Sequence, residues 1–398
     1  MAGQEPPSAT ILRKIGCLVT TLVEPRPEGD RLRASPVREA DGAVRSALPG
    51  RLISLTPARW IAIVSVLGLS SLAGLLVCLQ FGAQRIGLAE ACSIVLTWLT
   101  QGRAGLESGG PAATILLDVR LPRLAVSFLV GGTLAAVGVG LQALLRNPLA
   151  DPYVLGISSG AALGAGVAML LGVGTAVGGM SALTLSAFVG GLLAILLVYR
   201  IAISSGHLPM PTLLLAGVII TAICSALVMF ITSILDPARA YTMLSWLMGT
   251  MSAPDAPAFA LLVGVTLCGG VALFRQARSL NVLTLGEETA RSLGVEVERV
   301  KRTMFLLSAL MTGAVVSVSG LIGFVGMVIP HAVRMVLGAD HRIVMPSAAF
   351  VGGLFLMVAD TVARTALAPA EIPVGVVTAL VGGPFFVYLL VARRGGVS

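Results

Sequence analysis

Charge is scarce in this chain of 398 residues: 12% are Asp, Glu, Lys or Arg, against 56% hydrophobic. A soluble domain carries about 25% charged residues, and so large an apolar fraction has too little polar surface to cover it in water. Lysine is almost missing, with Lys14 and Lys301 the two examples, and neither follows a glycine. The Gly-Lys-Ser/Thr element that holds phosphate and magnesium in a P-loop is therefore missing, and any ATP chemistry belongs to another polypeptide. The five cysteines (Cys17, Cys78, Cys92, Cys224, Cys268) form no C-x-x-C pair, which argues against a disulfide framework or a zinc site. Three scattered histidines, His207, His331 and His341, with no H-E-x-x-H and no paired carboxylates in the apolar runs, leave a membrane-embedded metalloenzyme without its ligands or its acid and base. Acidic residues are rare inside those runs, whereas an ion-coupled secondary transporter generally needs them at depth. No internal repeat supports that class either. The net charge of +8 arises from arginines lying between apolar stretches, so nucleic acid is not the expected partner.

What is present is a succession of apolar stretches. A helix needs roughly 20 apolar residues to cross a bilayer. Ten stretches qualify as candidates, near 60–81, 124–145, 154–174, 179–199, 210–234, 256–274, 303–322, 323–339, 345–363 and 374–392. The expected fold class is an all-α polytopic membrane protein with about ten spans, the eighth the weakest because it holds His331 and Arg334. With both termini in the cytoplasm, 21 of the 27 Lys and Arg fall inside, and only Arg85, Arg103, Arg120, Arg123, Arg239 and Arg364 outside. The excess of cytoplasmic cations selects this topology over its inverse. Residues 1–59 read as a basic, mostly disordered cytoplasmic extension without a signal-peptide pattern, followed by a membrane domain over 60–394.

Gly156, Gly160 and Gly164 fall four apart, the spacing of a close helix–helix contact. Three polar segments interrupt the apolar pattern. The first couples Arg120-Leu-Pro-Arg123 to Gln142-Ala-Leu-Leu-Arg-Asn147-Pro148-Leu149-Ala-Asp151-Pro152, whose two prolines end one helix and reset the next. The second, Leu283 to Arg302, reads as a short charged cytoplasmic helix, with Thr284 and Glu287 placed for a capping box and Gly294 for a stop. Either a solvated connector or a docking helix fits that pattern. The third runs from Gly320 to Arg364, where Asp360 and Arg364 can pair across one turn.

At these residues the chain resembles the permease subunits of ABC importers for iron-siderophores, haem and cobalamin. The blocks RLPR, Q-x-x-x-x-NPLADP, LGISSGAALGA, LGEETARSLGV, GFVGMVIPH and EIPVGVVTALVGGPFF occur in that family's order over roughly residues 60–394. The resemblance implies a homodimer of ten-helix protomers in the bacterial inner membrane, surrounded by lipid. Two ATPase subunits, which use ATP and magnesium, lie below it and a substrate-binding protein above. No cofactor, metal or catalytic residue is expected in this chain. Arg120, Arg123 and Arg364 match arginines that meet carboxylates of the binding protein. Asn147 and Leu149 match a cytoplasmic gate, and Gly286, Glu287, Glu288, Arg291 and Gly294, within 283–302, match the coupling helices that dock into the ATPase. A second gate element of the family lies near the start of the fifth span, where His207 to Thr212 match no position securely. The cargo implied is an iron chelate, ferric siderophore or haem, with cobalamin the alternative.

Overall fold

The computed structural model of the chain describes residues 56–82, 84–102, 110–173, 180–203 and 207–394. Nearly all of the extension expected over 1–59, with Cys17, and the loop with Arg103 lie outside the described residues. The end of that extension is helical: helix α1 (Pro57–Gln80) begins at Pro57, and the Thr56 hydroxyl caps it by accepting from the Arg59 amide.

The described part is all-helical, and seven of its helices are long and apolar enough to cross a bilayer. They are α1, α3 (Gly110–Leu144), α5 (Ala182–Ala202), α6 (Met210–Ile234), α8 (Ala256–Arg275), α11 (Val297–Ser319) and α13 (His341–Thr365). Two expected spans fall short as apolar helices, α4 (Ile157–Leu170) and α12 (Val325–Leu337), while α14 (Val374–Arg394) runs for 21 residues and is apolar over Val374–Tyr388. The cause is local. Pro152–Leu155 forms a 3-10 turn that ends in Gly156 at φ +84°, and α12 starts only after the turns at Gly320 and Phe324. Thirteen helical residues rise about 20 Å, less than the hydrocarbon thickness of about 30 Å. Helices too short to span, α2 (Leu88–Gln101), α7 (Pro237–Leu247), α9 (Ala277–Leu283) and α10 (Glu287–Ser292), complete the set.

Helix α3 is the hub, with 83% of its most apolar window buried, whereas α1 buries 11% and turns its apolar surface outward. A helix that is apolar on all sides yet exposed belongs in lipid. Small residues let the hub approach its neighbours: a Cβ added at Gly131 would overlap the Gly352 carbonyl of α13, and one at Gly138 the Gly326 carbonyl of α12. The α4–α5 contact works the same way through Gly160, Gly164 and Gly190. Gly156 departs from the expected stripe, because its left-handed backbone makes it the turn before α4.

Prolines inside helices free carbonyls that neighbouring helices then use. Pro346 in α13 cannot donate to the Arg342 carbonyl, which accepts from Trp60 Nε1 at 2.9 Å and so ties α1 to α13. Pro330 in α12 likewise releases the Gly326 carbonyl, which accepts from Gln142 Nε2 of α3 at 3.4 Å. In a membrane interior such replacement bonds are what make a helical proline tolerable. Pro122 in α3 is accommodated by a widened π turn over Ile115–Arg120.

Candidate functional site

Charged and polar groups gather in two clusters, one around Asp360 and one around Glu287. The Asp360 cluster holds the three arginines expected at the binding-protein face. Arg123 places Nε 3.0 Å from Asp360 Oδ1 and Nη2 2.9 Å from the same oxygen, and reaches Glu371 Oε2 with Nη1 at 2.9 Å. Arg364 Nε lies 3.2 Å from Asp360 Oδ2, so the expected Asp360–Arg364 turn pair forms. Asp360 is fully buried, while Glu371 stays 54% exposed at its side chain. The paired, charge-assisted contacts of two arginines with one buried carboxylate hold the guanidinium heads in fixed planes.

Arg120 corrects the expectation of a freely presented cation. It is 2% exposed and donates to the Leu79 carbonyl at 2.8 Å and to the Gln84 carbonyl. Leu79 sits in the last turn of α1, where carbonyls lack helical partners and a cation also meets the negative end of the helix. Gly82 leaves the space, since a Cβ there would press on the guanidinium. Arg120 therefore clamps the end of α1. Arg364, 9% exposed, is also largely enclosed, which leaves Arg123 as the arginine of the three with an exposed partner to exchange.

At the Glu287 cluster, the Asn147–Leu149 segment follows the end of α3. Arg146 takes a left-handed backbone at φ +47°, the Asn147 amide donates to the Gln142 carbonyl at 3.1 Å, and Asn147 Oδ1 accepts from the Leu149 amide at 2.9 Å. Gln142 anchors this loop from beneath, donating to the Met327 carbonyl at 3.1 Å and accepting from Arg334. Tyr153 adds a second stitch by bonding both the amide and the carbonyl of Ile322 at 2.7 Å. Leu149 is 45% exposed and lines an open apolar groove of about 520 Å³ with Asp151, Tyr153, Thr221, Phe324 and Met327. Burial pushes the Asp151 carboxyl up to about 6, partly offset by its bond from the Tyr153 amide, and pushes the Tyr153 phenol up as well.

Helix α10 carries the expected coupling residues. Gly286, at φ +124°, turns the chain into it, and Gly294, at φ +81°, follows its end. The capping box is not formed: the Thr284 hydroxyl donates to the Asn281 carbonyl, and Glu287 faces Lys301 Nζ at 2.7 Å. A buried ammonium outcompetes a backbone amide for that carboxylate. Residues 297–302, grouped with the coupling segment from sequence, start α11. Leu285, Glu288, Thr289, Arg291 and Leu293 are exposed, the two leucines at 67% and 62%, so this surface presents apolar groups between charges. Beside it Asp340 is held well below the usual carboxylate range, at about 2, chiefly by its pairing with Arg342 at 2.6 Å.

His341 is buried, with Nδ1 2.6 Å from Asn281 Oδ1. Among the described residues no group of three or more His, Cys, Asp and Glu is placed to hold a metal ion. Sequence reasoning missed α7, capped by Asp236, and the roles of Lys301, Gln142 and Arg334. Two lysines in 398 residues made Lys301 conspicuous, but nothing local told of its burial.

The profile of the FecCD transport family matches residues 62–392, most of the chain. The chain belongs to that family. Among its relatives, the cobalamin import system permease of Halobacterium salinarum is 44% identical over 294 residues, 73% of this chain and 78% of the relative. The hemin transport system permease of Yersinia pestis is 40% identical over 321 residues, 80% of this chain and 94% of the relative. A solved metal-chelate type ABC transporter in an inward-facing conformation superimposes with a TM-score of 0.70 at 29% identity, over 83% of this chain and 99% of that one. This FecCD-family chain is thus a multi-span membrane permease of a type II ABC importer. Permeases of this kind work with ATPase partners and binding proteins.

Proposed function

We propose that the chain forms a homodimer in the cytoplasmic membrane and carries a bulky metal chelate inward, driven by ATP hydrolysis in two partner ATPases. Cobalamin stands level with haem as the cargo, since the relatives named for cobalamin and for hemin match it about equally well. A ferric siderophore is the third member of the same chemical class. The ten-span reading counts α4, α12 and α14 with the seven long apolar helices. Both termini would then lie in the cytoplasm, in keeping with the bias of Lys and Arg. Domain limits of 1–59 for the extension and 60–394 for the permease remain the proposed division.

One observation carries the mechanism: the two polar clusters differ in what they offer to partners. Arg123 shares its guanidinium between buried Asp360 and exposed Glu371. A carboxylate on the binding protein can displace Glu371 without stripping Asp360 of its partner. Exposed rim charges of this type set encounter rate and orientation. At the opposite cluster the exposed leucines and charges of 285–293 form the docking surface for the ATPase, and Asn147 and Leu149 guard the groove beside it. No catalytic step is assigned to this chain. The test is uptake into proteoliposomes holding the chain and its ATPase, with binding protein loaded in parallel with cobalamin, haem or a ferric siderophore. ATP-dependent uptake of one of them supports the reading. Uptake that follows an imposed ion gradient without ATPase points instead to a secondary transporter.

A further inference from the structure

Lys301 is 4% exposed, yet it lies among groups from four elements that meet at the coupling end. Its ammonium sits 2.7 Å from Glu287 Oε2 of α10 and 3.3 Å from Glu298 Oε1 of α11. Each carboxylate continues outward. Glu287 Oε1 lies 3.6 Å from Arg146 Nη2, one residue before Asn147, and Glu298 Oε2 accepts from the Leu208 amide at 2.9 Å, just ahead of α6. Helix α10 is six residues long, with Ala290 its one buried residue, so little apolar packing fastens it to the membrane helices. Glu287 also meets exposed Arg291 at 3.4 Å within the same helix, and the same Arg291 Nη2 lies 3.8 Å from Glu298 Oε1 of α11, a longer and more solvated bridge beside the buried one through Lys301.

We propose that Lys301 is the joint through which movement of α10 reaches both the Asn147–Leu149 gate and the segment before α6. Glu287, Glu298, Arg146 and the half-exposed Arg291 complete a five-member ionic linkage in which Lys301 is the buried member. The inference rests on the permease reading above and assigns Lys301 as a positioning residue within it. An ammonium this enclosed cannot leave both carboxylates without a large desolvation penalty, so the cluster moves as a unit. The far arm is weaker: Arg146 and Glu287 are 43% and 29% exposed at their side chains, a pairing of modest strength. Arg146 nevertheless occupies a left-handed backbone that a non-glycine residue adopts at a cost, so release of its head allows the loop to relax. Glu287, assigned to ATPase docking by its place in the motif, points into this cluster, and Glu288 beside it remains exposed for docking.

The test uses the assembled complex in proteoliposomes, with Leu149→Cys in a chain whose native cysteines are serine. Maleimide labelling of that cysteine is measured with and without ATP and vanadate. The parent chain is expected to change its labelling rate at least threefold on nucleotide trapping. Lys301→Met is expected to keep the ATPase bound and hydrolysing while losing that change, and Lys301→Arg to regain most of it. Glu298→Gln, nearly isosteric, gives a second route if Lys301→Met fails to fold, and its expected result is a weakened change. A full nucleotide-dependent change in Lys301→Met or Glu298→Gln overturns the joint, as does loss of the ATPase from a folded variant. A parent chain that binds no ATPase overturns the permease reading itself, and is told apart because the unaltered chain already fails.

Discussion

The two polar ends of the molecule use arginine in opposite ways. Around Asp360 the arginines are enclosed: Arg120 is spent on backbone carbonyls, Arg364 on a buried carboxylate, and Arg123 alone faces an exposed acid. Around Glu287 the cations are layered, with Lys301 sealed inside and Arg146, Arg291 and Arg299 progressively more exposed, the last at 79%. The first end is built as a rigid seat with one exchangeable position. The second hangs a six-residue helix on an ion-pair cluster, the proposed joint. The proposed division of tasks, cargo received at one face and force at the other, calls for that difference in construction.

The comparison breaks most severely at Arg120. Arg120→Ala removes a charged donor from two carbonyls and opens a gap beside Gly82, a loss of about 2–4 kcal/mol. Thermal unfolding in detergent is expected to fall by several degrees, while Arg123→Gln, which leaves Arg364 on Asp360, falls by less. Equal losses in the two variants would contradict the division between clamp and seat. A second test acts on the docking surface: Leu293→Asp places a charge on a 62% exposed apolar position. Co-purification of the ATPase is expected to drop at least tenfold with the melting temperature unchanged.

The smallest effects are those of pH. Asp151, raised to about 6, favours the folded state when protonated. Its contribution is full below the ordinary carboxylate range near pH 4 and is lost as pH rises through 6. Asp340 runs the other way: lowered to about 2, it stabilises above pH 4 and loses that contribution only as pH falls toward 2. Asp151→Asn should therefore flatten the dependence of stability on pH between 4 and 6, as read by melting temperature, and Asp340→Asn should leave that window unchanged.

Seven of the ten expected spans were legible in sequence as long helices, because twenty apolar residues in a row have few alternatives to a membrane helix. Run length failed at α12, where Gly320 to Phe324 is apolar in composition yet turned in backbone. The paired arginines of RLPR announced a polar site at a helix end, but not that Arg120 would cap Leu79, 41 residues away. Long-range partners of that kind leave no local spacing to read. The proposed capping box shows the converse error: Thr284 and Glu287 have the right separation, and Lys301, 14 residues on, takes the carboxylate instead. Family blocks singled out Asn147, Leu149 and residues 286–294 as the expected gate and coupling positions, while Gln142 and Arg334, which fix the 147–149 loop from below, emerged only from the packing of α3 against α12.

The central claim is that the two ends carry separable tasks, and ATP hydrolysis by the reconstituted complex, titrated with loaded binding protein, tests it most directly. Arg123→Gln is expected to raise the half-saturating concentration of binding protein at least fivefold and to keep the maximal rate. Glu288→Lys, on the exposed side of α10, is expected to lower the maximal rate and leave half-saturation unchanged. Both substitutions moving the same parameter, or neither moving any, would contradict the account.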